Sequence, residues 1–136
     1  RTILYESYPI SEYPKTYCYP SIIISNTLKE KDYCSVEFLN SDQELKVIQN
    51  SFNELNNSIS GNIAFVGTCF ELCKKKFPEL MLFESKEDTH PSKLGSYLIA
   101  CVFFRVLTGE TVSGINYNAG LDLKDIKKIK EIVDSN

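Results

Sequence analysis

Three consecutive pieces decide the fold: Asn62-Ile63-Ala64-Phe65-Val66, then Thr68 to Phe77, then Leu80-Met81-Leu82-Phe83. The outer two are short apolar runs, one closed by Gly67 and the other preceded by Pro78-Glu79. Runs of that length without polar alternation read as strands buried on both faces. The middle piece stops directly before a proline and reads as a short helix. Strand, helix, strand is the unit from which parallel sheets are built.

The alternation continues on both sides. Upstream, Ser41 reads as an N-cap and Glu44 stands three residues on, which makes a capping box. Leu45, Ile48, Phe52, Leu55 and Ile59 follow at spacings of three and four, predicting an amphipathic helix that Gly61 ends. Thr2-Ile3-Leu4-Tyr5 reads as another buried strand. Between them, Pro9, Pro14 and Pro20 alternate with Tyr8, Tyr13, Tyr17 and Tyr19, so residues 7–20 read as an ordered aromatic loop. Ser21 to Ser25 and Cys34 to Leu39 are β-prone and could pair as a hairpin, although the first could equally begin a short helix. Residues 15–40 as a whole read as an insertion or hairpin. Downstream, Lys93 to Leu107 reads as a long apolar helix with Gly109 beyond its end. Residues 121–134 read as a C-terminal amphipathic helix, with Leu121, Leu123, Ile126, Ile129 and Val133 on one side. Its Lys124, Lys127, Lys128 and Lys130 alternate with Asp122, Asp125 and Glu131, the pattern of a solvated face. The expected class is therefore α/β, a parallel sheet covered on both faces.

The totals narrow the function. A chain of 136 residues, 43% hydrophobic and 12% aromatic, makes one domain with one core. A formal charge of −3 provides no basic field, so nucleic acid is not an expected partner. The longest strongly apolar run, Leu98 to Val106, contains Arg105 and is about half of a membrane span. The chain opens at Arg1 and enters a core strand at once, so it is expected to be the C-terminal piece of something longer. Its lack of a signal peptide then says nothing of compartment. The five cysteines, Cys18, Cys34, Cys69, Cys73 and Cys101, are an odd number, which argues against a complete disulfide framework. Cys69 and Cys73 share a helix face, but a tetrahedral metal needs two more ligands and the chain has one His. The thiols read as small buried apolar groups, with a thiol switch as a minor alternative and no cofactor implied.

In parallel sheets, function sits on loops leaving the C-terminal ends of strands. The loop from Glu84 to Ser92 is such a loop, and it carries the chain's one histidine, His90. A helix N-terminus disfavours an imidazolium, which suits a ring that must accept a proton. A carboxylate on the other ring nitrogen would fix the tautomer. Glu87, three residues back, and Asp88, two back, are the candidates. Pro91 fixes the exit angle of the chain, and Ser92 is placed to cap the helix. Gly95, in the first turn, would let the helix approach the sheet closely.

These residues carry a resemblance. Asp88-Thr89-His90-Pro91-Ser92, Leu94-Gly95-Ser96-Tyr97-Leu98, Ala100-Cys101-Val102-Phe103-Phe104 and Leu107-Thr108-Gly109 resemble the last block of the SGNH hydrolases, the GDSL-type esterases. Val66-Gly67, Pro78-Glu79-Leu80, Ala119-Gly120-Leu121-Asp122 and the strand Thr2 to Tyr5 also fit; residues 15 to 40 fit least. The resemblance implies a three-layer α/β/α, flavodoxin-like fold, of which this chain is the C-terminal part. It also implies ester hydrolysis by a serine nucleophile without a metal. His90 falls on the family's base. Glu87 falls on its acid, where Asp is usual, and Asp88 stands where Gly is usual. The nucleophile and oxyanion blocks precede the strand matched by Thr2 to Tyr5, so they have no counterpart here. Ser25-Asn26 lacks the preceding Gly, and Ser60-Gly61-Asn62 has the wrong order.

Two expectations follow. In one, the chain is the His-bearing part of a serine esterase. An N-terminal segment or another chain completes its sheet, and it acts on a small ester or acylated substrate. In the other, it is an inactive member of the same fold with a structural or interaction role in an assembly.

Overall fold

A computed structural model describes residues 2–10, 12–20, 32–85 and 89–136. The elements run β1 (Ile3–Tyr5), β2 (Cys18–Pro20), β3 (Asp32–Cys34), α1 (Ser41–Ile59), β4 (Asn62–Ala64), α2 (Val66–Lys76), α3 (Lys93–Thr108) and α4 (Leu123–Ser135). The class is mixed α/β. β1 and β4 form a parallel pair in the register Ile3↔Asn62, Leu4↔Ile63 and Tyr5↔Ala64. β2 and β3 form a separate antiparallel pair, Cys18↔Cys34 to Pro20↔Asp32.

Leu80 to Phe83 departs from the expected strand. Leu80 and Leu82 are buried while Met81 is exposed, so the segment is extended but buried on one side only. It does not join the β1–β4 sheet. Its backbone bonds instead to the chain returning from the next loop: Phe83 bridges Pro91, and the Ser92 amide donates to the Leu82 carbonyl at 2.9 Å.

The capping box also sits elsewhere. Asn40, one residue earlier than expected, caps α1, its Oδ1 accepting from the Gln43 amide at 3.0 Å. Gln43 reciprocates, accepting from the Leu39 amide at 2.9 Å. Asn and Ser are equally good caps, so the shift by one residue costs nothing locally. It releases Glu44 to turn inward, where it is buried and accepts from the hydroxyls of Tyr13 and Tyr17 and from the Lys15 ammonium. The aromatic loop is thereby pinned to the first turn of α1. A bridge between Lys15 and the buried Phe38 closes the other side.

Farther along α1 the predicted apolar stripe is only partly covered. Leu45 is buried, Ile48 and Phe52 are half-buried, and Leu55 and Ile59 are exposed. β1 is likewise half-buried, with Tyr5 38% exposed, and not the uniformly buried strand its sequence suggests.

The core lies where α2, α3 and α4 pack on one another and on β4. Phe70, Leu98, Ile129, Val66, Val112 and Val133 are among its fully buried side chains. Each large one contributes roughly 1.5–3 kcal/mol by leaving water. α4 buries Ile126, Ile129, Ile132 and Val133, and leaves Leu123 exposed. Its lysines are not merely solvated: Lys128 pairs with Glu79 at 2.5 Å, and Lys130 donates to the Ile115 carbonyl.

Asp134 ties the 109–115 connection to α4, accepting from the amides of Val112 at 2.8 Å and Ser113 at 3.0 Å. Burial pushes its carboxyl up, but those amides and Arg105 outweigh it, and the net shift is downward. A depressed folded-state value means the carboxylate stabilises the fold above the ordinary Asp range and loses that contribution as pH falls through the folded value. Asp134→Asn is expected to lower stability by about 1–2 kcal/mol at neutral pH, the cost of weakening two buried-end hydrogen bonds. Urea melts of the two proteins should show that gap holding down to about pH 5 and narrowing below about pH 4. A gap independent of pH would contradict the assignment.

Cys18 and Cys34 are joined by a disulfide across β2 and β3, a pairing that the sequence reading did not make. The odd count reflects one bridge plus three buried thiols, Cys69, Cys73 and Cys101. Burial pushes Cys69 and Cys73 up to about 12 and raises Cys101 too. A thiolate is the reactive species, so these groups are inert while the chain is folded. Maleimide at pH 8 should add no mass to the native, unreduced protein and three adducts after unfolding in urea. Rapid native labelling of Cys69 or Cys73 would restore the thiol-switch reading.

Candidate functional site

The loop that carries His90 is closed at its base by three hydrogen bonds, two of which make up the Phe83–Pro91 bridge. The Glu84 amide donates to the His90 carbonyl at 3.1 Å. The Ser92 amide holds Leu82, and the Ser92 hydroxyl donates to the Met81 carbonyl at 2.7 Å. The same hydroxyl oxygen accepts from the Gly95 amide at 3.1 Å, so Ser92 is the N-cap of α3, as its position predicts. One side chain thus fastens the helix start to the extended segment beneath it.

Gly95 explains why the two can meet. A Cβ there would lie 2.1 Å from the Leu82 carbonyl oxygen and 3.1 Å from Pro91 Cβ. No side chain fits, and the helix backbone rests directly on the 80–83 segment. His90 is exposed, two residues before the cap. Glu87 and Asp88, the candidate acids, lie outside the described residues, as does Ser25. Ser60 is the left-handed C-cap of α1, with φ of 52°, and it precedes β4.

The C-terminal end of β1 meets this loop. Gly67 packs against the backbone after β1, where its missing Cβ would fall 2.1 Å from the Ser7 carbonyl oxygen. The next residue, Tyr8, sends its hydroxyl to the Thr89 carbonyl at 3.2 Å. Its ring stacks on Phe70 at 4.5 Å and meets Phe83 edge-on at 5.4 Å.

Glu6 is a charged residue that the sequence reading passed over. It is fully buried. Its carboxylate accepts from the Thr68 amide at 2.7 Å and from the Thr68 hydroxyl at 2.8 Å. Gln49 donates to that hydroxyl at 2.9 Å. Glu6 therefore caps α2 from a distant strand, a role that the helix dipole favours. Burial raises its carboxyl and the Thr68 bonds oppose that rise. Both oxygens are engaged, so the group holds β1 to α2 and is not placed to act on a substrate. The local sequence shows only an acid directly after an apolar strand; its pairing with a helix start 62 residues away is not readable from it.

Among the described residues, cavities lie away from His90, including one of about 250 Å³ against Tyr97, Cys101 and Phe104. Another, of about 680 Å³, lies between residues 113–118 and α4, with Tyr117, Leu123, Lys127 and Lys130 in its lining. A further one, about 240 Å³, is lined by Phe65, Cys69, Arg105 and Asn136 among others. Among the described residues no group of three His, Cys, Asp or Glu could hold a metal ion, and no helix is long and apolar enough to cross a membrane. Chemically, the loop offers an accessible imidazole on a braced base, able to accept and return a proton once a nucleophile is brought to it. No family model, no curated protein and no solved structure matches the chain.

Proposed function

We propose that this chain is the histidine-bearing part of an SGNH-type serine esterase, with a flavodoxin-like three-layer fold in its complete form. The observation that carries the reading is the Ser92–Gly95 junction. The block that resembles the esterase ending places its serine as the helix cap and its glycine against Leu82, so His90 stands on a rigid base beside the C-terminal end of β1. In this role His90 takes the proton of an attacking serine and returns it to the leaving alcohol. Glu87 is the acid partner, with Asp88 the alternative. The serine and the oxyanion donors come from a segment that completes the sheet. The substrate class is a small ester or acylated molecule.

A serine-directed fluorophosphonate tests the reading. The protein completed by that segment should be labelled at one serine, and His90→Ala should abolish the labelling. Labelling that survives His90→Ala unchanged would overturn the mechanism.

A second reading has an observation of its own. Among the described residues β1 pairs on one edge only, and Tyr5 and much of the α1 stripe are exposed. Unpaired strand edges invite another strand. A subunit that keeps the fold for assembly and has lost the chemistry fits that surface, and complete absence of phosphonate labelling would favour it.

A further inference from the structure

We infer that Tyr8 is a positioning residue for His90: its hydroxyl holds the Thr89 carbonyl, and through it the backbone on which the imidazole stands. The inference deepens the esterase reading and rests on it for its functional meaning.

Tyr8 is built into place from every side. Its neighbours Glu6 and Pro9 are both buried, which fixes the chain before and after it. A Cβ added at Gly67 would lie 3.2 Å from Tyr8 Cα, so the Tyr8 backbone rests close against the start of α2. Its ring lies against Phe70 from α2 and Phe83 from the extended segment, and those two rings also meet, at 5.4 Å. Three aromatic rings from three parts of the chain make one rigid cluster. The one polar atom of Tyr8 points out of that cluster to Thr89.

Three bonds join this loop to its own stem: Glu84 to His90, and Ser92 to Leu82 and Met81. The Tyr8 bond reaches it from the segment after β1, 81 residues away in sequence. Stem contacts fix where the loop begins and ends. A contact at Thr89 fixes the peptide immediately before the histidine. A base must be held to within a fraction of an ångström of its proton donor, so that peptide is the one whose position matters. Burial raises the Tyr8 hydroxyl above the ordinary phenol range, which keeps it a donor at neutral pH.

Tyr8→Phe removes the hydroxyl and keeps the ring, so the aromatic cluster survives. The experiment uses the chain itself, ¹⁵N-labelled, in which the one histidine gives a single set of ring signals. Two results are expected together in the variant. Hydrogen exchange at the Glu84 amide, which donates to the His90 carbonyl, rises roughly five- to tenfold, the factor that one net hydrogen bond supplies. The His90 ring ¹⁵N and Hε1 shifts at fixed pH move, while shifts in α4 do not. A purely structural role would lower the melting temperature and leave the His90 ring signals in place. If either the exchange or the ring shifts match the parent, the inference fails. Phe83→Leu, which loosens the ring cluster but keeps the hydroxyl, serves as the second variant and should disturb His90 less than Tyr8→Phe does; an equal or larger disturbance also refutes it. None of these readouts needs ester turnover. Failure of the phosphonate test would remove the esterase reading and leave the Tyr8 result standing.

Discussion

A Gly95→Ala variant loses roughly 3–5 kcal/mol, placing it among the most damaging single substitutions. The reason is the 2.1 Å that separates the added Cβ from the Leu82 carbonyl oxygen. That oxygen is backbone, and it already accepts from the Ser92 amide, so it cannot turn aside cheaply. Either α3 lifts from Leu82 or the 80–83 segment moves off the core, where Leu80 and Leu82 are buried. For a domain of this size the melting temperature should fall by about 10 °C or more. Gly114→Ala is the matched control, since a Cβ there meets nothing within 4 Å, and it should leave the melting temperature within about 2 °C. Calorimetry of the two variants decides. A Gly95→Ala protein as stable as its Gly114→Ala counterpart would mean that α3 does not rest on Leu82.

On the proposed esterase reading, His90→Ala carries the largest effect on activity. In the completed protein kcat should drop by about 10⁴-fold or more, the range seen when the base of a nucleophile–base pair is removed. Stability should change by less than about 0.5 kcal/mol, because the side chain is exposed and the loop is braced by backbone atoms and by Ser92. The contrast separates chemistry from folding: Gly95→Ala removes both, His90→Ala only the first. Hydrolysis of a p-nitrophenyl ester, followed alongside thermal denaturation, provides both numbers. Turnover within tenfold of the parent would remove His90 from the mechanism.

What could be read from the sequence was set by local chemistry. Ser92, Gly95 and Gly109 each act within a few residues of themselves, and the spacing alone pointed to their roles as cap, close-approach site and C-terminal stop. The strand Ile3–Tyr5 and the four helices follow from apolar periodicity in the same way. Local chemistry is degenerate by a residue or so, which is why Asn40 and not Ser41 caps α1. Leu80 to Phe83 shows the limit of composition. A run of four apolar residues is compatible with a buried strand, but whether it joins a sheet depends on what approaches its edge, and here the returning chain does. Glu6 with Thr68, and Tyr8 with Thr89, join residues 62 and 81 apart, and no short-range pattern announces them. Around the His90 loop, the Ser92 cap was legible; the aromatic cluster that braces the loop was not, because its members come from three separate stretches.

The bridge between Cys18 and Cys34 has a topological consequence. It closes residues 18–34 into a covalent ring with two exits, one toward β1 and one toward α1. Any single break of the main chain inside that ring leaves one molecule, with both exits still joined through sulfur. The stretch can therefore be nicked, or rewritten in length, without severing the first strand from the body that its Glu6 fastens it to. In an oxidising compartment this stretch is thus the part of the chain where a cut is least able to take the protein apart.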